Sequence, residues 1–238
     1  EDTFNILLVG ANQERKRLRG QLEGVQLFYH GLGHATPPIP PHPNARLYLH
    51  SMIKGERDLA ADLDELDLGG ITVSPDQYAM ANGGFTEEIM AAIYNCADVV
   101  LNCCMEGFGL SHIQAQACGV PVIYLNEGPG AELVVSGVGV PPLAVETLRN
   151  QMAQPTPNPV AIARALEVLW QRRVEKGQPL RSEKAAQFVQ DNFAWTKIAE
   201  QWFGVIERVM RDVESYCYQV PESGPELRER AGRLVEVG

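Results

Sequence analysis

The sequence predicts an α/β fold in which a parallel sheet is covered by helices on both faces. Short apolar runs alternate along the chain with longer segments that carry apolar residues at helical spacing, and this alternation is typical of such folds. The apolar runs are continuous, as expected of strands that are buried on both faces. The first of them, Ile6–Val9, ends in Gly10. The predicted strands are 6–9, 46–50, 71–73, 97–101, 120–124 and, at an edge of the sheet, 138–140.

Helices are predicted where apolar residues recur three or four positions apart. After Asn12, a fair N-cap, Leu18 and Leu22 begin such a pattern, although a strand at 25–29 is an alternative. The other predicted helices are 54–68, 87–95, one that begins near Phe108 and ends at Gly119, 131–135, 160–173, 182–193 and 195–210. Prolines and glycines predict loops between these elements. The main predicted loops are 37–43, 74–84 and 155–159.

Length and charge narrow the class of partner. The chain has 238 residues, which is enough for one large domain or two small ones. Its net charge of -10 argues against nucleic acid or an anionic membrane as the main partner, because both favour basic surfaces. No apolar run approaches the roughly 18 residues that a membrane-spanning helix needs, so no membrane span is predicted.

The five cysteines fit neither a zinc site nor a disulfide framework. Their number is odd, and four of them fall in or beside predicted core elements. Reduced cysteines are typical of intracellular proteins, so a cytoplasmic location is predicted. The cysteines are Cys96, Cys103, Cys104, Cys118 and Cys217.

The most informative stretch is 106–123, which follows a predicted strand. It is interpreted as a loop, a helix, a tight turn at Gly119 and a further strand. Gly107 and Gly109 flank the start of the helix, where backbone N–H groups have no intrahelical partner. Such N–H groups, beside glycines that let a ligand approach, form an anion site. We therefore expect the phosphates of a nucleotide and its attached sugar to bind here.

This stretch is expected to lie at the carboxyl ends of the strands, where parallel sheets bind their ligands. Three other loops begin at such ends. Together with 103–109, the loops that would converge on this rim are 10–16, 74–78 and 126–131.

Residues 94–98 and 106–123 resemble the C-terminal, donor-binding half of retaining glycosyltransferases of the GT-B fold, family 4. That family shows Tyr-x-x-Ala-Asp before a strand, then Glu-Gly-Phe-Gly, four variable residues and Glu-Ala-x-Ala-x-Gly-x-Pro-Val-Ile. Val9-Gly10, followed by Arg15-Lys16, is similar to the family's first strand and its phosphate-binding basic residue. Residues 128–133 are similar to its Gly-Gly-x-x-Glu-Leu loop.

The resemblance covers roughly residues 4 to 205 and implies one half of a GT-B fold, a Rossmann-like sheet followed by C-terminal helices. Residues 1–212 are expected to form this nucleotide-sugar-binding domain, and 213–238 a polar tail with a possible helix at 225–235. The implied function is retaining transfer of a sugar from a nucleoside diphosphate to an acceptor. The acceptor-binding N-terminal domain is absent from this sequence, so an upstream domain or a partner subunit is expected to supply it. The chain alone is expected to have little activity.

The resemblance also implies roles for individual residues. Glu106 is expected to contact hydroxyls of the donor sugar, and Lys16, helped by Arg15, to neutralise the departing diphosphate. These three are the predicted catalytic residues. The predicted substrate-binding residues are Gly10, Asn12, Ser74, Gly107, Phe108, Gly109, Leu110, Gln114 and Gly130.

No metal or other cofactor is expected. The implied reaction needs mainly positioning of the sugar and stabilisation of the charge on the departing diphosphate. Asp62-Leu63-Asp64 has the spacing of a metal-binding DxD sequence, but it lies in a predicted acidic helix and is interpreted as a solvated helix face.

Two positions depart from the family pattern. The family's second glutamate is Gln114 here, which offers a ribose one acceptor and one donor in place of a carboxylate. The family's Pro-Ser before the first glutamate is replaced within 102–105. These differences leave open a non-catalytic nucleotide-sugar-binding or scaffold domain that pairs with an active transferase. A UDP-sugar 2-epimerase of the GT-B fold is a further alternative, although the 106–123 pattern argues against it.

Overall fold

The computed structural model describes residues 3–147 and 153–218, with the side chains of the last helix through residue 213. The chain divides into two compact units, residues 1–190 and 191–238. The first unit contains the sheet and the candidate site, and the second contains the long C-terminal helix.

The first unit is built on a parallel sheet, which among the described residues has six strands in the order β3-β2-β1-β4-β5-β6. The strand order reverses between β1 and β4, and the carboxyl ends of these strands define the crevice in which such sheets bind ligands. The predicted Rossmann-like sheet is therefore confirmed. The strands are β1 Phe4–Val9, β2 Ala45–His50, β3 Thr72–Val73, β4 Val99–Asn102, β5 Val122–Leu125 and β6 Gly137–Val140.

Helices connect these strands and then complete the chain. Those of the described residues are α1 Leu18–His30, α2 Leu59–Glu65, α3 Gln77–Ala81, α4 Glu87–Cys96, α5 Leu110–Ala117, α6 Pro129–Leu133, α7 Pro159–Trp170, α8 Glu183–Phe193 and α9 Trp195–Tyr218. A π-helical turn, Gln171–Glu175, extends α7.

The sheet has a core on each face. Leu8 of β1 packs with Leu22 of α1 in one core, to which α2 and α7 also contribute. Leu7 of β1 packs with Tyr94 of α4 and Ala115 of α5 in the other core. Because neighbouring strand residues are buried on opposite faces, the strands are continuous apolar runs in the sequence.

The segment after β1 differs from the prediction. Asn12 does not cap a helix, because a 3-10 turn at Glu14–Lys16 comes first and α1 begins only at Leu18. Arg17, between the turn and the helix, adopts the left-handed conformation with φ 47°. The alternative strand at 25–29 is wrong, since these residues lie within α1.

Two other segments differ in extent or type. The predicted helix at 54–68 shortens to α2, because Asp58 accepts hydrogen bonds from the first N–H groups of this helix and fixes its start. The predicted loop at 74–84 contains α3, which Asp76 caps in the same way. Both capping aspartates follow the usual preference for the N-cap position.

The predicted linker at 155–159 is partly a strand. β7 (Ala144–Thr147) and β8 (Ala153–Thr156) form an antiparallel pair in which Val145 lies opposite Pro155. Proline is compatible with such a two-stranded ribbon, since each strand has a free edge where no N–H donor is needed.

The interpretation of 62–64 as a solvated face is wrong for Asp62. Its side chain is 7% exposed and accepts hydrogen bonds from Arg19 at 2.9 Å and from Arg57 at 2.9 and 3.0 Å. The two hydrogen bonds from Arg57, with the one from Arg19, hold the pKa of this carboxyl below its ordinary value. Asp64, on the same helix, is exposed as expected.

Replacing Asp62 by asparagine is expected to lower the free energy of unfolding at pH 7 by about 2 kcal/mol, because two guanidinium groups lose a partly buried carboxylate. Since the pKa of Asp62 is depressed in the folded state, its contribution is present above the unfolded pKa, about 3.9. This contribution is lost as the pH falls through the lower, folded value. Urea unfolding of both proteins at pH 7 and pH 3 would measure the difference.

Asp64→Asn is the matched control for this prediction. It removes the same charge from the same helix, and its effect on stability is expected to stay within about 0.5 kcal/mol. Equal effects of the two substitutions would contradict a stabilising role for the Asp62 ion pairs.

The second unit is described through Tyr218. Its helix α9 continues past residue 212, and the domain boundary proposed there stays a prediction. The predicted tail helix at 225–235 lies outside the described residues. No helix among the described residues is both long enough and apolar enough to cross a membrane.

Candidate functional site

The candidate site is an ion pair that joins the loops at the carboxyl ends of β1 and β4. Lys16, in the turn after β1, donates a hydrogen bond from Nζ to Oε1 of Glu106, in the loop after β4. The two side chains are 11% and 13% exposed, so the pair is largely shielded from water. Arg15 lies at its edge, with Nη1 3.9 Å from Oε2 of Glu106 and a side chain that is 56% exposed. The fold therefore brings the three predicted catalytic residues together.

Gln21 of α1, which the sequence analysis did not identify, links the two loops through hydrogen bonds to the backbone of each. Its Nε2 donates to the backbone oxygen of Lys16 at 2.9 Å, and its Oε1 accepts from the N–H of Cys103 at 2.8 Å. The residue is 1% exposed. A glutamine on the core-facing side of an amphipathic helix was the available signal, because a buried amide requires hydrogen-bond partners.

The loop between β4 and α5 combines open space with unpaired N–H groups. The N–H groups of Leu110 and Ser111 have no acceptor among the described residues, as is usual in the first turn of a helix. Gly109 adopts φ 101°, and a Cβ at this position would lie 2.6 Å from Nδ1 of His112, so only glycine fits. A Cβ at Gly107 would meet no atom within 4 Å. Phe108 and Leu110 flank this space with half-exposed and exposed side chains.

A buried polar group lies behind Glu106. Asn102, at the end of β4, donates from Nδ2 to Oγ of Ser111 and accepts at Oδ1 from the thiol of Cys104, at 3.0 Å. The same thiol lies 3.6 Å from Oε1 of Glu106. Burial, with the charge of Glu106, raises the pKa of Cys104 to about 12, so the thiol stays protonated. In the sequence, these residues are visible only as a departure from the family pattern.

His112 of α5 is buried beside this group. Its Nε2 lies 3.3 Å from the backbone oxygen of Asn102, and the residue is 1% exposed. Burial lowers the pKa of the imidazole below its ordinary value, so the ring is neutral near pH 7. This uncharged side chain links the first turn of α5 to the end of β4 through the backbone oxygen of Asn102.

Asn12 braces the loop that follows β2. Its Nδ2 donates to the backbone oxygens of Met52 at 2.9 Å and Arg57 at 2.8 Å, and its Oδ1 accepts from the N–H of Arg57 at 3.2 Å. The braced loop, Gly10 and His50 line a cavity of about 540 Å³ at the carboxyl ends of β1 and β2. Asn12 therefore shapes this cavity while its amide is engaged with the protein.

The remaining predicted site residues lie in the loop after β3, on α5 and on α6. Within the described chain, no hydrogen bond joins Ser74, Gln114 or Gly130 to the ion pair. Gln114 is exposed, and its Oε1 accepts from the hydroxyl of Tyr94 at 3.0 Å. A Cβ at Gly130 would lie 3.0 Å from the backbone oxygen of Leu125, so close packing on β5 requires this glycine.

The arrangement places groups that attract anions beside a carboxylate that can accept hydrogen bonds from hydroxyls. Lys16, Arg15 and the N–H groups at the start of α5 favour a phosphate, and the carboxylate of Glu106 accepts hydroxyl hydrogens. Among the described residues, no three His, Cys, Asp or Glu side chains cluster closely enough to hold a metal ion. A Rossmann-like sheet with adjacent sites of these two kinds has the features of a glycosyltransferase domain.

The chain matches one known family over more than half of its length. Residues 48–172 fit the family described as glycosyl transferases group 1. The chain therefore belongs to the glycosyl transferases group 1 family. The matched span includes Glu106, the glycine loop after it and Gln114.

Individual relatives agree with this assignment. D-inositol 3-phosphate glycosyltransferase of Mycobacteroides abscessus is 30% identical over 167 residues, which is 70% of this chain and 31% of that protein. Sucrose-phosphate synthase from Thermosynechococcus elongatus shares the fold with a TM-score of 0.64 at 22% identity, over 89% of this chain and 46% of that chain. Anabaena HepE, solved in complex with UDP and glucose, has a TM-score of 0.59 at 15% identity, over 87% of this chain and 49% of that chain. This chain thus spans about a third of the first protein and about half of each solved structure.

Proposed function

We propose that this chain binds the donor in retaining transfer of a sugar from a nucleoside diphosphate. The pairing of Lys16 with Glu106 beside the start of α5 carries the proposal. The lysine can bind a phosphate, and the neighbouring carboxylate can accept hydrogen bonds from sugar hydroxyls. Membership of the glycosyl transferases group 1 family supports a transferase. HepE, which shares the fold, binds UDP and glucose in its crystal structure.

In the proposed reaction, the bond between the anomeric carbon and the phosphate oxygen breaks, and its electron pair leaves with the diphosphate. Lys16, Arg15 and the first N–H groups of α5 stabilise the charge that develops on this leaving group. Glu106 accepts hydroxyl hydrogens of the sugar and holds it in position. The acceptor hydroxyl attacks the anomeric carbon from the face that the diphosphate leaves, which retains the configuration. Its proton passes to an oxygen of the departing diphosphate.

The proposal includes three further features. The reaction needs no metal, because protein cations and N–H groups stabilise the diphosphate. The acceptor binds to a separate domain, either in a longer chain or in a partner subunit, and the present chain alone turns over little. The protein works in the cytoplasm, where its cysteines stay reduced.

Calorimetric titration with UDP, GDP and ADP tests the proposal. One of them is expected to bind with a dissociation constant between about 1 μM and 1 mM. The affinity is expected to be the same with and without EDTA. The absence of binding by all three would contradict the proposal, and a requirement for a divalent cation would contradict metal independence.

Replacing Gln114 by glutamate is expected to strengthen binding of the preferred nucleotide by about three- to tenfold, because a carboxylate accepts stronger hydrogen bonds from ribose hydroxyls than an amide does. Tyr94 can still donate its hydroxyl to the new side chain. Titration of both proteins measures the change. Gln201→Glu on α9 makes the same charge change at a residue that is not among the predicted site residues. An equal effect of this control would contradict a contact between Gln114 and the ribose.

The absence of a carboxylate at position 114 also favours a second candidate, a non-catalytic nucleotide-sugar-binding or scaffold domain that pairs with an active transferase. Supplying the acceptor-binding domain distinguishes the two candidates. Transfer of sugar by the combined protein supports the enzyme, and donor binding without transfer supports the scaffold.

A further inference from the structure

We propose that Asn102 and Cys104 are positioning residues for Glu106, which hold its Oε1 inward and leave its Oε2 to accept a hydroxyl of the donor sugar. The inference rests on the function proposed above. Both residues lie in the segment where the sequence departs from the family pattern, so the arrangement is a feature of this chain.

The two oxygens of the Glu106 carboxylate have different surroundings. Oε1 accepts a hydrogen bond from Lys16 and lies 3.6 Å from the thiol of Cys104. Within the described chain, the charged neighbour of Oε2 is Arg15, at 3.9 Å and beyond hydrogen-bond distance. Because the protein occupies Oε1, Oε2 is the oxygen that is available to a ligand.

Asn102 fixes the thiol that contacts this carboxylate. Its Oδ1 lies 3.0 Å from Sγ of Cys104, while its Nδ2 donates to Ser111 in the first turn of α5. With Nδ2 directed at Ser111, Oδ1 faces the thiol and can accept its hydrogen. One side chain, 2% exposed, thus connects the carboxylate to the start of the helix that is expected to bind phosphate.

Cys104 serves as a neutral hydrogen-bond donor. With a pKa of about 12 it carries no charge near pH 7. Its single hydrogen can be donated to Oδ1 of Asn102, 3.0 Å away, or to Oε1 of Glu106, 3.6 Å away. The neighbouring Cys103 is also buried, but its thiol lies 3.6 Å from the backbone oxygen of Ile123 on β5. The two adjacent cysteines therefore form a matched pair for substitution.

The test compares UDP with UDP-glucose, because only the second ligand has a sugar. Cys104→Ala and Asn102→Ala are each expected to lower the affinity for UDP-glucose by about fivefold relative to the affinity for UDP. This change corresponds to the loss of roughly one hydrogen bond. Cys103→Ala is expected to lower the melting temperature without changing the ratio of the two dissociation constants. Cys104→Ser keeps a donor and is expected to restore the ratio.

If the two residues had a purely structural role, the variants would bind both ligands more weakly to the same extent, and that result would overturn the inference. A second measurement places Cys104→Ala in a Glu106→Gln background, where it should no longer alter the ratio, because the residue acts through Glu106. Additive effects would also overturn the inference. If Asn102→Ala does not fold, the Cys104 variants carry the test by themselves.

The outcome for the wild-type chain separates this inference from the proposed function. If UDP and UDP-glucose do not bind, the same comparison is made with GDP and GDP-mannose, and then with ADP and ADP-glucose. Binding of none of these ligands overturns the proposed function and the inference with it. Binding by the wild-type chain, with an unchanged ratio in the variants, overturns the inference alone.

Discussion

Replacing Lys16 by methionine is expected to weaken UDP binding by about 10- to 100-fold, because the site loses the cation nearest to the expected phosphates. The same change is expected to destabilise the fold by about 2–4 kcal/mol, since the largely buried carboxylate of Glu106 is left without its partner. Methionine keeps most of the apolar stem of lysine, so packing changes little. Calorimetry and urea unfolding measure the two effects.

A double variant separates the two consequences. Lys16→Met with Glu106→Gln removes both charges, so most of the stability is expected to return, whereas UDP affinity stays low. Arg15→Met is the matched control, because its exposed guanidinium is expected to contribute less than about 1 kcal/mol to stability. Wild-type UDP affinity in Lys16→Met would place the phosphate site elsewhere.

The sheet could be predicted because its signals are local. Each strand is a continuous apolar run, and the alternation of such runs with helical segments determines a parallel sheet covered on both faces. The Lys16–Glu106 pair joins residues 90 positions apart. The sequence places both on one rim because each follows the carboxyl end of a predicted strand, and the family resemblance suggests their roles.

The errors arise where a side chain is held by a distant partner. Asp62 is predicted to be solvated, but its carboxylate pairs with Arg57, five positions before it, and with Arg19 of α1, 43 positions away. Gln21 reads as a helix residue, yet it accepts a hydrogen bond from the backbone of Cys103, 82 positions away. Asn12 is a good N-cap by local preference, but the loop after β2 offers its amide more hydrogen bonds than a helix start would. Hydrogen bonds between distant segments leave no periodicity in the sequence, so only the folded structure shows them.

Replacing Glu106 by glutamine is expected to separate sugar binding from phosphate binding. UDP-glucose affinity should fall by about 10-fold or more, because a neutral amide is a weaker partner for sugar hydroxyls than a carboxylate. UDP affinity should stay the same or rise by up to about threefold, since Lys16 loses a competing anion and the phosphates lose a nearby negative charge. Titration of each ligand against both proteins measures the opposite changes.

Opposite changes for the two ligands are the decisive feature of this prediction, because a general disturbance of the loop would weaken both. Glu127→Gln, an exposed glutamate in the loop after β5, is the control for a change of net charge near the rim. It should raise the affinity for both ligands slightly or not at all. If Glu106→Gln weakens UDP as much as UDP-glucose, Glu106 does not contact the sugar. Its carboxylate would then serve chiefly to hold Lys16 in place for the phosphates.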